Sequence, residues 1–264
     1  MTQVNAIVLR AAGINCDVET EYALEMAGAN AQRIHINRLI EDKSLLEQFH
    51  ILVFPGGFSY GDDVAAGKIL ANQVIHHLAD PIRKFIEDGK LVLGICNGFQ
   101  VLVKMGILPG DDTPTPTYQK DVTITYNDSN KFEDRWVHLA PETYKCVFIE
   151  PDRQIYLPIA HGEGKVVTKD NETLQKLIDD DKIAFKYVDM DGNEGPYPVN
   201  PNGSVASIAG FTDKTGRVLG LMPHPERHIH FTQHPHWTRM KNKEKSPDGM
   251  TIFSNAVKYI QQNF

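Results

Sequence analysis

Leu91-Val92-Leu93-Gly94-Ile95-Cys96-Asn97-Gly98-Phe99-Gln100 is the stretch on which the reading of this chain turns. The apolar run Leu91 to Leu93 reads as a buried strand, and Phe99, Val101, Leu102 and Met105 fall on one face of a helix. A cysteine therefore stands at a strand-to-helix turn. Gly94 and Gly98, two residues to either side of it, let the backbone turn sharply without a Cβ clash. A nucleophile at such a turn is held out from the backbone, beside the positive end of the helix. Thiolate is the reactive form of cysteine, and that setting favours it. Taken alone, the motif reads equally well as a buried, apolar cysteine.

Outward from it, the elements alternate. Val4 to Arg10, Ala31 to Ile36, His50 to Phe54 and Lys90 to Ile95 read as strands. Val18 to Ala27 and Lys68 to Leu78 read as helices, and Asp80-Pro81 restarts the second with Asp as N-cap and Pro at the first helical position. Strand-helix alternation predicts an α/β fold: a mainly parallel sheet with helices on both faces, a three-layer sandwich. From Val122 to Ile149 short alternating runs predict antiparallel strands decorating that sheet, with no separate domain. Asp179-Asp180-Asp181 reads as a solvated helix end.

Two further motifs leave predicted strands. Met222-Pro223-His224-Pro225-Glu226-Arg227 follows the apolar Val218 to Leu221. In an extended segment residues i and i+2 face the same way, so His224 and Glu226 become neighbours, with two prolines limiting relaxation. A carboxylate beside an imidazole fixes its tautomer and stabilises the imidazolium. Val53-Phe54-Pro55-Gly56-Gly57-Phe58-Ser59-Tyr60-Gly61-Asp62 enters a glycine loop whose freed N–H groups suit an oxyanion. Gly57 and Asn97, the residue after the cysteine, are the candidate donors. Ligands bind outside the carboxyl ends of strands in such sheets, where all three motifs fall.

With these motifs in order, the chain resembles the class I glutamine amidotransferases, and among them the glutaminase subunits of purine biosynthesis. The likeness is carried by Gly13-Ile14-Asn15-Cys16-Asp17, Pro55 to Asp62, Gly94 to Gln100, Ala160-His161-Gly162-Glu163-Gly164 and Met222 to Arg227. It implies a flavodoxin-like amidotransferase domain spanning residues 1–264. Cys96 would attack the side-chain amide of L-glutamine, His224 would protonate the leaving amine, and Glu226 would orient His224. Gly57 and Asn97 would form the oxyanion hole; Gly56, Gln100 and His161 would line the substrate. Ammonia would pass to a larger synthetase subunit holding ATP, Mg2+ and formylglycinamide ribonucleotide, joined by a small accessory subunit. The likeness implies neither metal nor cofactor in this chain, and neither G-x-x-x-x-G-K-[ST] nor a G-x-G-x-x-G after a strand occurs. The chain departs from short members at Ala11-Ala12 and in longer segments, 111–137 and 228–249.

Composition agrees with this reading. The 264 residues are 41% hydrophobic, enough for a large core, with no run approaching the roughly 20 apolar residues of a membrane span. No charged-then-apolar leader opens the sequence, and Cys16, Cys96 and Cys146 are few and unpaired in spacing, which points to a reducing cytoplasm. A formal charge of −7 argues against nucleic acid.

Other features have bland readings. His228, His230, His234 and His236 do not read as a zinc set, since neither a Cys nor a well-spaced carboxylate joins them. Lys241 to Lys245 reads as a solvated run, Cys146 as a strand residue, and Cys16 as structural because no His neighbours it. The alternatives are a glutaminase serving another synthetase, a cysteine hydrolase or chaperone-like protein of the same architecture, and an inactive regulatory subunit. The wording of the five motifs and the intact Cys, His and Glu set count against them.

Overall fold

The structure is a computed structural model that describes residues 2–110, 121–240 and 247–264. Its elements in chain order are β1 (Asn5–Arg10), α1 (Asp17–Met26), β2 (Asn30–His35), α2 (Ile36–Glu41), β3 (Ile51–Phe54), α3 (Lys68–Glu87), β4 (Leu91–Ile95) and α4 (Asn97–Met105). There follow β5 (Val122–Tyr126), β6 (Glu133–Pro141), β7 (Ile155–His161), β8 (Glu163–Thr168), α5 (Asn171–Asp179), β9 (Ile183–Val188), β10 (Ile208–Thr212), β11 (Val218–Leu221) and α6 (Asp248–Asn263).

Among the described residues, nine strands form one sheet in the order β2-β1-β3-β4-β11-β10-β9-β6-β7. The five strands β2 to β11 are parallel and follow the flavodoxin-like order. Every residue of β3, β4 and β11 is buried, as strands covered on both faces require. The chain steps from β1 to β2 in one direction and from β3 to β4 in the other. Right-handed crossovers then put α1 and α3 on opposite faces. Accordingly α1 packs beside α6, and α3 beside α4. Of the antiparallel strands predicted between Val122 and Ile149, β6 joins the main sheet between β9 and β7, while β5 pairs with β8 in a separate ribbon; β7, β8, β9 and β10 lie beyond the predicted stretch. Asp179 to Asp181 do close a helix, α5.

Two expectations are corrected. Helix α3 does not restart at Asp80-Pro81 but runs through Pro81. The proline removes the bond to the His77 carbonyl, and His77 is exposed, so water replaces the missing donor. Leu70, Ala71, Val74, Leu78, Ile82 and Phe85 form one continuous buried stripe across the site, and that packing outweighs the loss. Cys146 lies in the loop between β6 and β7, not in a strand; burial pushes its thiol up to about 11, which leaves it inert. Residues 111–120 of the longer segment, and Lys241 to Lys245, lie outside the described residues.

The core ties α4 to the sheet through Phe99, whose ring meets Phe211 of β10 edge-on at 5.9 Å. Both rings are fully buried. Phe211→Ala is expected to lower the unfolding free energy by about 3–5 kcal/mol. Chemical denaturation measures it, and a loss under about 1 kcal/mol would show that this contact does not anchor α4.

Candidate active site

Cys96 forms the hinge between β4 and α4 with φ 50° and ψ −106°, a left-handed conformation that a non-glycine residue adopts only under constraint. The constraint is close packing behind it. A β-carbon on Gly98 would lie 1.8 Å from the Phe54 carbonyl oxygen, so only glycine lets α4 approach β3 this closely. The thiol is 5% exposed and donates to the Ala160 carbonyl at 3.7 Å.

Strand pairing brings the distant motif to it. Leu221 of β11 pairs with Ile95 of β4, and the Cys96 N–H donates to the Leu221 carbonyl at 2.8 Å. Both chains leave the sheet at one level, and His224 follows three residues later. Its own N–H is fixed on the Pro158 carbonyl at 2.8 Å. Glu226 reaches His224 by a different route from the one expected. Pro225–Arg227 is a single 3-10 turn, with Pro225 setting its first φ, and this turn swings Glu226 back. His224 Nδ1 and Glu226 Oε1 are 2.6 Å apart, and both residues are 1% exposed. Burial opposes the imidazolium, but the Glu226 carboxylate, with the Cys96 and Cys16 sulfurs, outweighs it and raises the His224 pKa well above 6.5. His224 Nε2 and Glu226 Oε2 have no hydrogen-bond partner among the described residues.

The glycine loop enters from the neighbouring strand. Gly57, at φ 144°, bridges Ile14, while Phe58 N–H to Gly13 O and Cys16 N–H to Gly56 O carry the bonds on either side. The Gly57 N–H is thereby left over. The Asn97 N–H opens α4, where no carbonyl one turn back can accept it. Gly56 backs directly onto the dyad: a β-carbon there would sit 2.8 Å from His224 Cε1 and 3.1 Å from Cys16 Sγ. The Asn97 side chain ties the loop down, accepting from Ser59 N–H at 3.2 Å and donating to Asp62 at 3.1 Å and Gln100 at 3.0 Å. Gln100 also donates to the Glu163 carbonyl, so its amide already serves the protein at both ends. Burial raises the Asp62 carboxyl pKa, and bonds from Gly67 and Asn97 partly offset this.

Asn127 is a buried organiser that sequence reasoning missed. Its Nδ2 donates to the carbonyls of Lys131 at 2.9 Å and His161 at 2.8 Å. With both amide hydrogens spent, Oδ1 must accept from Gly164 N–H at 3.0 Å and from His161 Nδ1 at 3.1 Å. The His161 proton therefore sits on Nδ1. Its Nε2 is a bare acceptor, buried, with no partner among the described residues. Burial, then the charge of His224, lowers the His161 pKa to about 3. Cys16, read as structural, is buried beside the dyad: its sulfur lies within 4.8 Å of ligand atoms of His224 and Glu226. Its place just after the first predicted strand already puts Cys16 at the carboxyl edge of the sheet; its closeness to His224 is what the sequence does not signal.

The histidine run turns elsewhere. His228 Nδ1 donates to the Tyr156 carbonyl at 2.8 Å, and His230 meets the Tyr22 hydroxyl at 3.2 Å. His228, His234 and His236 line an open cavity of about 410 Å³ that none of Cys96, His224 and Glu226 borders.

A buried cysteine, a carboxylate-bound imidazole and two free N–H groups at a sheet edge are the parts an acyl transfer through a thioester requires. Residues 3–260 match the CobB/CobQ-like glutamine amidotransferase domain, and the chain belongs to that family. Among curated relatives, the phosphoribosylformylglycinamidine synthase subunit PurQ of Dehalococcoides mccartyi is 47% identical over 264 residues, covering 99% of this chain and 100% of the relative. The subunit PurQ of Methanococcus maripaludis is 40% identical, covering 97% of each chain. A chain in the solved structure of PurLQS from Thermotoga maritima is 31% identical with a TM-score of 0.73, covering 98% of this chain and 100% of that one. A glutamine amidotransferase from Thermotoga maritima, at 13% identity and a TM-score of 0.56 over 98% of this chain and 99% of that one, shares the fold. No helix among the described residues is long and apolar enough to cross a membrane.

His161 gives the site a stability signature. Its ordinary pKa is 6.5 and its folded value about 3, so between those limits the unfolded chain binds a proton that the folded one refuses. Stability therefore falls as pH falls, by about 1.4 kcal/mol per unit from this group. Urea titrations at pH 7.5 and 4.5 are expected to differ by about 2–3 kcal/mol less in His161→Asn than in the parent chain. An unchanged difference would show that the ring is not held neutral.

Proposed function

We propose that this chain is a cytoplasmic glutaminase subunit of phosphoribosylformylglycinamidine synthase, working as one amidotransferase domain. It hydrolyses L-glutamine and delivers the ammonia to a synthetase subunit, which uses ATP and Mg2+ to convert formylglycinamide ribonucleotide to formylglycinamidine ribonucleotide. A small accessory subunit completes the complex. The full-length identity of 47% to a PurQ subunit supports the choice of synthetase. The observation that carries the chemistry is the His224–Glu226 contact at 2.6 Å, held at the strand level of Cys96.

In the reaction His224 Nε2 takes the Cys96 proton, and Sγ bonds to Cδ of the glutamine side chain. The amide oxygen becomes an oxyanion facing the N–H groups of Gly57 and Asn97. His224 returns the proton to the amide nitrogen, the C–N bond breaks, and ammonia departs, leaving a glutamyl thioester. Water then attacks with His224 taking its proton; the C–S bond breaks, glutamate leaves, and His224 returns that proton to the Cys96 sulfur. Glu226 holds His224 with its proton on Nδ1 and stabilises the imidazolium. His161 Nε2 accepts an N–H of the substrate and stays neutral throughout. Gly56 shapes the wall beside His224, and Gln100 fixes the Glu163 side of the pocket.

A diazo-ketone analogue of glutamine is expected to leave one adduct, on Cys96, blocked by excess glutamine. Mass mapping reads it, and an adduct on Cys16 or Cys146 instead would overturn the assignment. Glu226→Gln is expected to lower kcat by a factor on the order of 10²–10⁴ with intact folding, since the amide no longer enforces the tautomer. Loss confined to KM would contradict an orienting role.

A further inference from the structure

Cys16, His224 and Glu226 offer three donors of different kinds, a sulfur, a ring nitrogen and a carboxylate oxygen, all within 4.8 Å of one another and all buried. Only His224 and Glu226 have a part in the reaction above. We propose that the three residues form an inhibitory site for Zn2+, which removes the base and its orienting carboxylate together. This rests on the glutaminase reading, since it describes regulation of that same site.

Several observations converge on a ligand here. Glu226 Oε2 is a buried carboxylate oxygen without a hydrogen-bond partner among the described residues, so this donor has a lone pair to give. Such atoms are rare in native interiors and call for a function. Gly56 leaves the sulfur and the ring in one shared space, because a β-carbon would stand 2.8 Å from His224 Cε1 and 3.1 Å from Cys16 Sγ. The donor set suits zinc, which takes thiolate, imidazole and carboxylate together, and suits neither Mg2+ nor Ca2+. Zinc–ligand bonds of about 2.0–2.3 Å put donors roughly 3.3–3.8 Å apart, so adjustments of about 1 Å close the set.

The neighbouring charges fit a reversible site. Arg227 Nη2 donates to Cys16 Sγ at 3.0 Å, and the Cys16 thiol donates to Asn15 Oδ1 at 3.3 Å. Zinc must displace both the guanidinium and the thiol proton. The Arg227 side chain is 37% exposed and has Glu19 at 3.8 Å, so it has somewhere to go.

Co2+ is the spectroscopic stand-in for Zn2+, because a sulfur ligand gives a near-ultraviolet charge-transfer band and surface imidazoles do not. In Cys96→Ala, Co2+ is expected to raise this band and Zn2+ to abolish it. In Cys16→Ser/Cys96→Ala the band is expected to be missing, with Cys16→Ala/Cys96→Ala as a second variant should the serine protein fail to fold. In the otherwise native enzyme, Cys16→Ser is expected to need at least tenfold more Zn2+ for half-inhibition of glutaminase, chelator restoring activity in both. A missing band in Cys96→Ala, or a band that survives loss of both cysteines, overturns the zinc site. Absence of glutaminase activity in a folded parent chain would instead overturn the function, whatever the metal spectra show.

Discussion

One ladder of parallel hydrogen bonds, between β4 and β11, is what the rest of the site depends on. It sets Ile95 opposite Leu221, and from there the two chains have only one and three residues respectively in which to present a thiol and an imidazole. A slip of one residue in this register would turn every side chain of β11 to the other face. The slip is blocked at Gly220, which pairs with Gly94: a β-carbon there would lie 2.3 Å from the Phe99 ring, so neither neighbouring leucine can take its place. The His224–Glu226 bond, the elbow at Cys96 and the glycine loop are local refinements of a placement already made by the sheet.

The polar groups around the site divide into satisfied and unsatisfied ones. Asn97, Asp62, Gln100 and the Glu163 carbonyl close on one another, and Asn127 spends every donor and acceptor it has. These groups hold the loops rigid at little net cost, because buried polar atoms with partners are nearly neutral in free energy. Around the site, Nε2 of His224, Nε2 of His161, Oε2 of Glu226 and Oγ of Ser59 are buried without a hydrogen-bond partner among the described residues. Three of these four atoms belong to His224, Glu226 and His161, so this part of the interior is organised to receive something polar.

Much of this was legible from the residues. Apolar runs ending in Gly-x-Cys-x-Gly, Pro-Gly-Gly and Pro-His-Pro-Glu placed the strands, their carboxyl edge and the candidate triad. What the sequence could not supply was any fact of three dimensions between distant segments. Cys16 looked inert because its chemical neighbours, His224 and Arg227, lie more than two hundred residues away along the chain. Asn127 carried no motif, since its importance lies in having both amide hydrogens consumed by carbonyls of other loops. Pro81 misled by local rule: tertiary burial along α3 overrode the penalty that a proline carries in an isolated helix. The pairing of His224 with Glu226 was foreseen correctly but through strand geometry, whereas a tight turn brings it about.

The backbone at Cys96 is held away from its intrinsic preference, at a cost of about 1–3 kcal/mol that the packing of α4 against β3 sustains. That cost works as a spring under compression. Softening the α4 packing lets the elbow relax into an ordinary helical start, and the sulfur moves off line while the sheet stays intact. Catalytic competence is accordingly the more fragile of the two properties. On warming, the protein would fall silent as an enzyme while still sedimenting, and showing the circular dichroism, of a folded molecule.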